Sequence, residues 1–294
     1  MERHVVNPKA STTSQKEQPS ELARKPWALI NLPPFPAVAA RILQLLSKED
    51  AGMKELAALI RSDVAFSSEV LTMANSALFT FRTEITGILQ ATVLLGLQRV
   101  KAVALTVGMR SYLLDSLKIP GVLACWRHSL ACGLVCEELA GPCMMERDTA
   151  YLAGLMHDVG RLALTVVEPL QYSNLLLVAE ENALDILDEE RKLFGMDHCQ
   201  AGRWLSEQWK LPQQFAEIAA HHHDRQMPAK FDMLSLVHVA CRVADCIGFS
   251  AVRPSRPLKF RDVLRDLPMP ARSNFGVTQE DLTLKVAMKI NSIE

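Results

Sequence analysis

The chain has 294 residues, nearly half of them apolar, which is enough for a sizeable core in one large or two modest domains and excludes a fibrous or wholly disordered protein. Thirty-two basic side chains stand against thirty-three acidic ones, and the formal charge of -1 gives no overall electrostatic case for DNA or an anionic membrane as partner. Seven cysteines (Cys125, Cys132, Cys136, Cys143, Cys199, Cys241 and Cys246) form an odd set with no CxxC pair, so neither a disulfide framework nor a thiolate zinc site is expected. They read as small buried apolar residues, including Cys132 and Cys136, which stand one helical turn apart.

Residues 1–24 are rich in Ser, Thr, Gln, Lys and Glu, lack apolar periodicity and contain no apolar h-region, so a disordered tail is expected and a signal peptide is not. Order is expected from about Trp27, with a stiff extended segment at Leu32–Pro36 and a helix starting at Pro36, where the missing amide hydrogen costs nothing. Apolar repeats at three-and-four spacing predict helices over Met53–Ile60, Ala65–Ala74, Gly87–Leu95 and Gln98–Leu113. Ser62-Asp63, Asn75-Ser76 and Thr83-Glu84 mark the turns or caps between them, and Asn75 and Ser76 read more readily as backbone caps than as ligand contacts. The longest apolar stretch, Ala91–Met109, is interrupted by Gln98, Arg99 and Lys101 and reads as amphipathic helix, so a soluble cytoplasmic protein with no membrane contact is expected. Residues 25–118 thus form a first, all-α lobe.

A second helical lobe is expected over 119–250, with helices at Val122–Leu139, Asp148–Val166, Pro169–Ala179, Leu184–Phe194, His198–Trp209, Pro212–His222 and Met233–Ile247. Seven of the eight histidines (His128, His157, His198, His221, His222, His223 and His238) lie in it, whereas the first lobe has none. Prolines 254, 257, 268 and 270 punctuate a poorly periodic linker within 251–294, which ends in an amphipathic helix capped at Thr278 and Asp281. There is no internal repeat and no Gly-rich phosphate loop.

The chain is organised around Asp148–Val166, in which Leu152, Leu155, Val159, Leu162 and Val166 make a helical core face. Gly154, His157, Asp158 and Arg161 share the other side. An imidazole and a carboxylate in such apolar company must be paired, hydrogen-bonded or metal-bound. His128 and Asp245, on neighbouring helices, could complete a two-imidazole, two-carboxylate set for zinc, iron or manganese, and His198 with His221 and His222 could hold a second ion. Each also has an ordinary reading: Asp158 pairs with Arg161, Asp245 with Arg242, His128 and His198 are satisfied near helix starts, and His221–His223 meet a helix C-terminus.

The order His128, His157-Asp158, Asp245 resembles the H...HD...D ligands of HD-domain phosphohydrolases. More specifically, LPPFPAVAARILQLL, IRSDVAFSSEVLTMANSALF, ILQATVLLGLQRVKAVAL, WRHSLACGLV, YLAGLMHDVGRLAL, FGMDHCQAGRWLSEQWKLP and AAHHHD together resemble an HDOD domain over about Leu32–Asp224. The resemblance implies a two-lobed all-α fold with an HD-like bundle as its second lobe. It also implies a bacterial signal-transduction module that is non-catalytic and meets a regulatory protein partner, with a divalent metal and a nucleotide ligand left open. The alternative it leaves is a metal-dependent phosphohydrolase acting on a nucleotide or cyclic dinucleotide. Two departures from the related phosphodiesterases bear on that choice: Arg161 stands where a lysine usually follows the dyad by three residues, and no GYP segment follows AAHHHDRQMP.

Overall fold

The computed structural model describes residues 26–46, 52–79, 83–224, 230–253 and 256–294; the tail expected at 1–24 lies outside them. The described chain is helical with no strand, as the apolar spacing requires. Helices α1 (Ala37–Leu46), α2 (Met53–Arg61), α3 (Val64–Ala74), α4 (Ile88–Leu95) and α5 (Leu97–Leu113) pack chiefly on one another, and α5 lies against α7 of the histidine-rich part. The Asp63 carboxylate caps α3 by accepting from the Phe66 amide at 3.0 Å. Asn75 is a structural cap: its side chain accepts from the Ile85 amide at 2.8 Å and donates to the carbonyls of Ile85 at 2.8 Å and Leu71 at 2.9 Å. Gly96, at φ +82°, makes the left-handed turn that joins α4 to α5.

The histidine-rich part is built around α6 (Pro120–Ala140), a 21-residue helix with a proline in its first turn and side chains buried almost all round. Against it pack α7 (Arg147–Met156), α9 (Pro169–Asn182) and α13 (Met233–Cys246), while α8 (Val159–Val167) and α12 (Gln213–His221) pack on α11 (His198–Gln208), with α10 (Ile186–Phe194) beside α9. Gly154 lets α7 meet α6 backbone to side chain, because a Cβ there would stand 2.6 Å from the Cys132 carbonyl oxygen and 2.8 Å from Cys136 Sγ. The single helix expected over Asp148–Val166 is in fact two: α7 ends at Met156 and α8 begins at Val159, with His157 and Asp158 as the joint. This break aims the two side chains of the dyad into different surroundings.

The segment expected to be a linker is also structured. Short helices α14 (Phe260–Val263) and α15 (Met269–Asn274) bury Phe260, Val263, Leu267, Ala271 and Phe275, because the prolines divide the chain into single turns without removing its apolar side chains. The last helix, α16 (Gln279–Asn291), starts with the Thr278 hydroxyl accepting from the Asp281 amide at 3.1 Å, and Asp281 accepts in return from that hydroxyl at 2.7 Å. One buried apolar cluster runs from Ala28 to Ile293. Among the described residues no single helix is long and apolar enough to cross a membrane.

Buried Glu137 on α6 ties this frame together, accepting from Arg99 Nη1 of α5 at 2.6 Å and from Lys289 Nζ of α16 at 3.3 Å. Burial opposes its ionisation, but Lys289 and Arg99 outweigh burial and hold the carboxyl below its ordinary value. A carboxyl depressed in the folded state adds stability above its unfolded pKa and loses it as pH falls through the folded one. Glu137→Gln is therefore expected to cost about 2–4 kcal/mol at neutral pH and to flatten the acid limb of the stability curve below pH ~4. Urea unfolding at several pH values checks this; a constant difference across the range would contradict it.

Candidate functional site

His128 and Cys132 stand one turn apart on α6, His157 follows the end of α7, and Cys241 projects from α13, so three elements converge on one buried point. Cys241 Sγ lies 3.1 Å from His157 Nε2, 3.7 Å from His128 Nε2 and 3.5 Å from Cys132 Sγ. Cys132 Sγ is 3.6 Å from His128 Nε2. Each imidazole is turned by its other nitrogen: Nδ1 of His128 donates to the Phe249 carbonyl at 2.7 Å, and Nδ1 of His157 donates to the Gly154 carbonyl at 2.6 Å. Cys241 is held well below the ordinary thiol value, first by the hydrogen bond from Cys132 and then, against burial, by His157 and His128. Burial works against a charged His128, but the Cys241 hydrogen bond and charge, with Asp245, raise it to about 9.

Asp158 faces the other way, toward α8, α11 and the end of α12. Its Oδ2 accepts from Arg161 Nε at 2.7 Å and its Oδ1 from His222 Nε2 at 3.2 Å, with His198 Nε2 at 3.4 Å. The Arg161 guanidinium also donates to His198 Nε2 at 3.1 Å and reaches the Tyr172 hydroxyl at 3.4 Å. Behind it, buried Glu190 accepts from His198 Nδ1 at 2.7 Å, from the His198 backbone amide at 2.7 Å and from Tyr172. Burial would raise Asp158, but the guanidinium outweighs it and holds the carboxyl well below its usual range, while burial and Arg161 together push His198 down. A neutral His198 therefore accepts a hydrogen bond from Arg161 at Nε2 and donates one to Glu190 from Nδ1.

The four residues expected to share one ion, His128, His157, Asp158 and Asp245, are not brought to one point. Among the described residues two groups place ligand atoms within 4.8 Å of one another: His128, Cys132, His157 and Cys241 form one, and Asp158, His198, His222 and His223 the other. His157 Nε2 lies 3.7 Å from Asp158 Oδ2, the oxygen that Arg161 already holds. Asp245 approaches His128 only by Nδ1, at 3.9 Å, and that nitrogen is committed to Phe249. His198 and His222 do meet, but His221 is half-exposed and pairs with Asp224 at 2.9 Å, so His223 stands where His221 was expected. Arg161 pairs with Asp158 as its spacing suggests, whereas Arg242 turns to Asp266 and leaves Asp245. Cys125, Cys132, Cys136 and Cys199 are buried as their spacing suggests, and Cys132 and Cys241 in addition stand beside the two imidazoles.

A hard divalent ion at the Asp158 group does not fit. Its carboxylate is saturated by Arg161 and His222, and the guanidinium occupies the lone pair of His198, so the fixed positive charge a metal would bring is already there. The His128 group has the opposite character, two nitrogens and two sulfurs with no guanidinium among them. Above both, a cleft of about 490 Å³ is lined by His128, Arg161, His223, His238, Cys241 and Asp245, so solvent reaches the edge of the site. Asp245 is raised to about 6 by burial at this rim.

Three solved structures share this fold. An HDOD domain protein of unknown function from Geobacter sulfurreducens is 25% identical, with a TM-score of 0.67 over 89% of this chain and 90% of its own. A candidate phosphohydrolase from Shewanella amazonensis SB2B is 21% identical, with a TM-score of 0.63 over 91% of this chain and 98% of its own. A candidate signal transduction protein from Marinobacter aquaeolei VT8 is 21% identical, with a TM-score of 0.63 over 89% of this chain and 58% of its own. An uncharacterized protein of Treponema pallidum (strain Nichols) is 23% identical over 197 residues, which are 66% of this chain but 38% of that relative. The family model of the HDOD domain matches residues 32–225, most of the chain, with His128, the His157-Asp158 dyad, His198 and His222 inside the match and Cys241 and Asp245 beyond it, and the protein therefore belongs to the HDOD domain family.

Proposed function

We propose that this protein is a non-hydrolytic signalling module that works by binding a regulatory protein. The observation that carries the reading is the Arg161 guanidinium, buried against Asp158 and His198, which engages the carboxylate and the imidazole that a metal with an open coordination site would need for hydrolysis. An arginine donates hydrogen bonds but cannot activate water, and its side chain is fixed here by three buried partners. The reading is further supported by α4, whose Leu89 and Val93 stand one turn apart and exposed, an apolar face of the kind that meets protein partners.

The test is a hydrolysis panel of phosphomonoesters, nucleotides and cyclic dinucleotides with Mg²⁺, Mn²⁺, Fe²⁺ or Zn²⁺. The expected result is no turnover above the metal-only blank. Turnover that disappears in Asp158→Asn would replace this reading by a metal-dependent phosphohydrolase. For the partner, a bait of the full chain should retain a protein from its own host that a Val93→Asp bait of equal stability does not. Retention by both baits alike would remove α4 from the account.

A further inference from the structure

We propose that His128, Cys132, His157 and Cys241 form a closed N2S2 site for Zn²⁺, a set of donors different from the H...HD...D order and independent of whether the protein hydrolyses anything. A tetrahedron with Zn–S of ~2.3 Å and Zn–N of ~2.0–2.1 Å has edges of ~3.3–3.8 Å between its donors. The sulfur–sulfur separation is 3.5 Å, and the two sulfur–nitrogen separations to His128 are 3.6 and 3.7 Å. The fourth edge, His157 to Cys241 at 3.1 Å, is a sulfur–imidazole hydrogen bond that an ion would replace by opening it a few tenths of an ångström, and the remaining two, from His157 to His128 and to Cys132, lie within 4.8 Å.

Orientation supports the same assignment independently. A ligating histidine is ordinarily fixed by donating its other ring N–H to a carbonyl or carboxylate. Both histidines do so here, to Phe249 and Gly154, and both consequently turn Nε2 toward the sulfurs. The helix break at His157 and the close approach allowed by Gly154 bring that imidazole to α6, so the cradle is made by backbone as well as by side chains.

Charge explains why sulfur is needed at this place. Binding releases two protons to solvent, one from the Cys132 thiol and one from the His128 imidazolium that faces the Cys241 thiolate, Zn²⁺ + Cys–SH + Cys–S⁻ + HisH⁺ + His giving Zn(Cys–S)2(His)2 + 2 H⁺, and the product carries no net charge. A neutral shell can be buried beside Arg161, whereas an ion held by imidazoles alone would add two positive charges next to a guanidinium. Thiolate donors select zinc over manganese or magnesium, and four protein ligands leave no position for water, so the ion would cross-link α6, α13 and the α7–α8 joint without performing hydrolysis.

The experiment is a Co²⁺ titration of the reduced, chelator-treated full chain, followed by displacement with Zn²⁺. One Co²⁺ per chain is expected, with a thiolate-to-cobalt charge-transfer band in the near ultraviolet and the intense visible bands of tetrahedral cobalt. Zinc should displace it with a dissociation constant tighter than about 10⁻⁷ M. Zinc should also raise the melting temperature by roughly 5–10 °C. Cys241→Ser should weaken binding at least 100-fold, while Cys136→Ser, one turn from Cys132 but outside the cluster, should bind as wild type. The wild-type spectrum decides the matter even where a variant fails to fold. The proposal is overturned by no charge-transfer band in the wild type, by a shell of oxygen and nitrogen alone, by equal binding in Cys241→Ser, or by a Cys132–Cys241 disulfide whose reduction restores no metal binding.

Discussion

Replacing Arg161 by methionine is expected to lower the stability of the protein by about 3–5 kcal/mol at pH 7. Methionine keeps the length and apolar contacts of the side chain, so the loss isolates the guanidinium. Without it Asp158, 1% exposed, and Glu190, fully buried, are left as carboxyls in a dry interior with only histidines and Tyr172 to answer them. Leaving a buried charge unpaired costs far more than the pair contributed over an apolar equivalent, and the effect is accordingly large in one direction only. Adding Asp158→Asn to the methionine variant should recover part of the loss, because the two residues belong to one network and their effects do not add. Urea unfolding of the three proteins measures this, and a loss below about 1 kcal/mol for the single variant would mean that water reaches Asp158.

Gly160→Ala is the second large effect. Gly160 lies in the first turn of α8 where it crosses α11, and a Cβ there would run into the His198 carbonyl oxygen and the Gly202 amide and come within 2.9 Å of the Gly202 Cα. These are backbone atoms of a packed helix and cannot turn aside. The two helices must separate, which pulls His198 away from Arg161 and opens the network from its other end. A loss of about 3 kcal/mol is expected, read as a fall of roughly 6–10 °C in melting temperature. Gly276→Ala, whose Cβ would meet nothing within 4 Å, is the control and should stay within about 0.5 kcal/mol of wild type. If both glycine variants melt together, the close crossing of α8 and α11 does not limit stability.

Much of the fold is legible in the residues because helix period and end signals agree. Asp63, Thr278 and Pro120 each stand where a helix begins, and the apolar stripes of α1 to α5 face the core. The break at the dyad is not legible, since Leu152, Leu155, Val159, Leu162 and Val166 keep their spacing straight across it. What ends α7 is the need of His157 and Asp158 to reach partners on three other helices, a tertiary demand that a local pattern does not carry. Glu190 carries a signal that the sequence pattern holds only weakly. It falls between Ile186 and Phe194 at four-residue steps, on the apolar stripe of α10, although its neighbours in LDEERKLF suggest a solvated face.

The cysteines teach the same lesson from chemistry. His128 with Cys132 and Cys241 with Asp245 are each one helical turn apart, so a donor pair on α6 and another on α13 can be read from spacing alone. The expected set takes the carboxylate of Asp245 from α13, whereas the side chain of α13 that stands beside both imidazoles is Cys241. Cys241 points to His157, and Asp245, one turn later, remains at the rim of the cleft. The sulfur of Cys241 beside His157 and the guanidinium of Arg161 beside Asp158 have one physical sense on the proposed reading: both keep the charges of the dyad satisfied without a hard metal ion.

The central claim is that Arg161, by engaging Asp158 and His198, keeps a hard metal ion from that site, and a Mn²⁺ titration followed by electron paramagnetic resonance tests it most directly. Free Mn²⁺ gives a sharp six-line signal that broadens when carboxylate and imidazole ligands capture the ion. With the full chain in excess, the account expects the free signal to be retained and phosphodiesterase turnover to remain at the blank. Loss of the signal at one or two Mn²⁺ per chain, accompanied by turnover that Asp158→Asn abolishes, would contradict it.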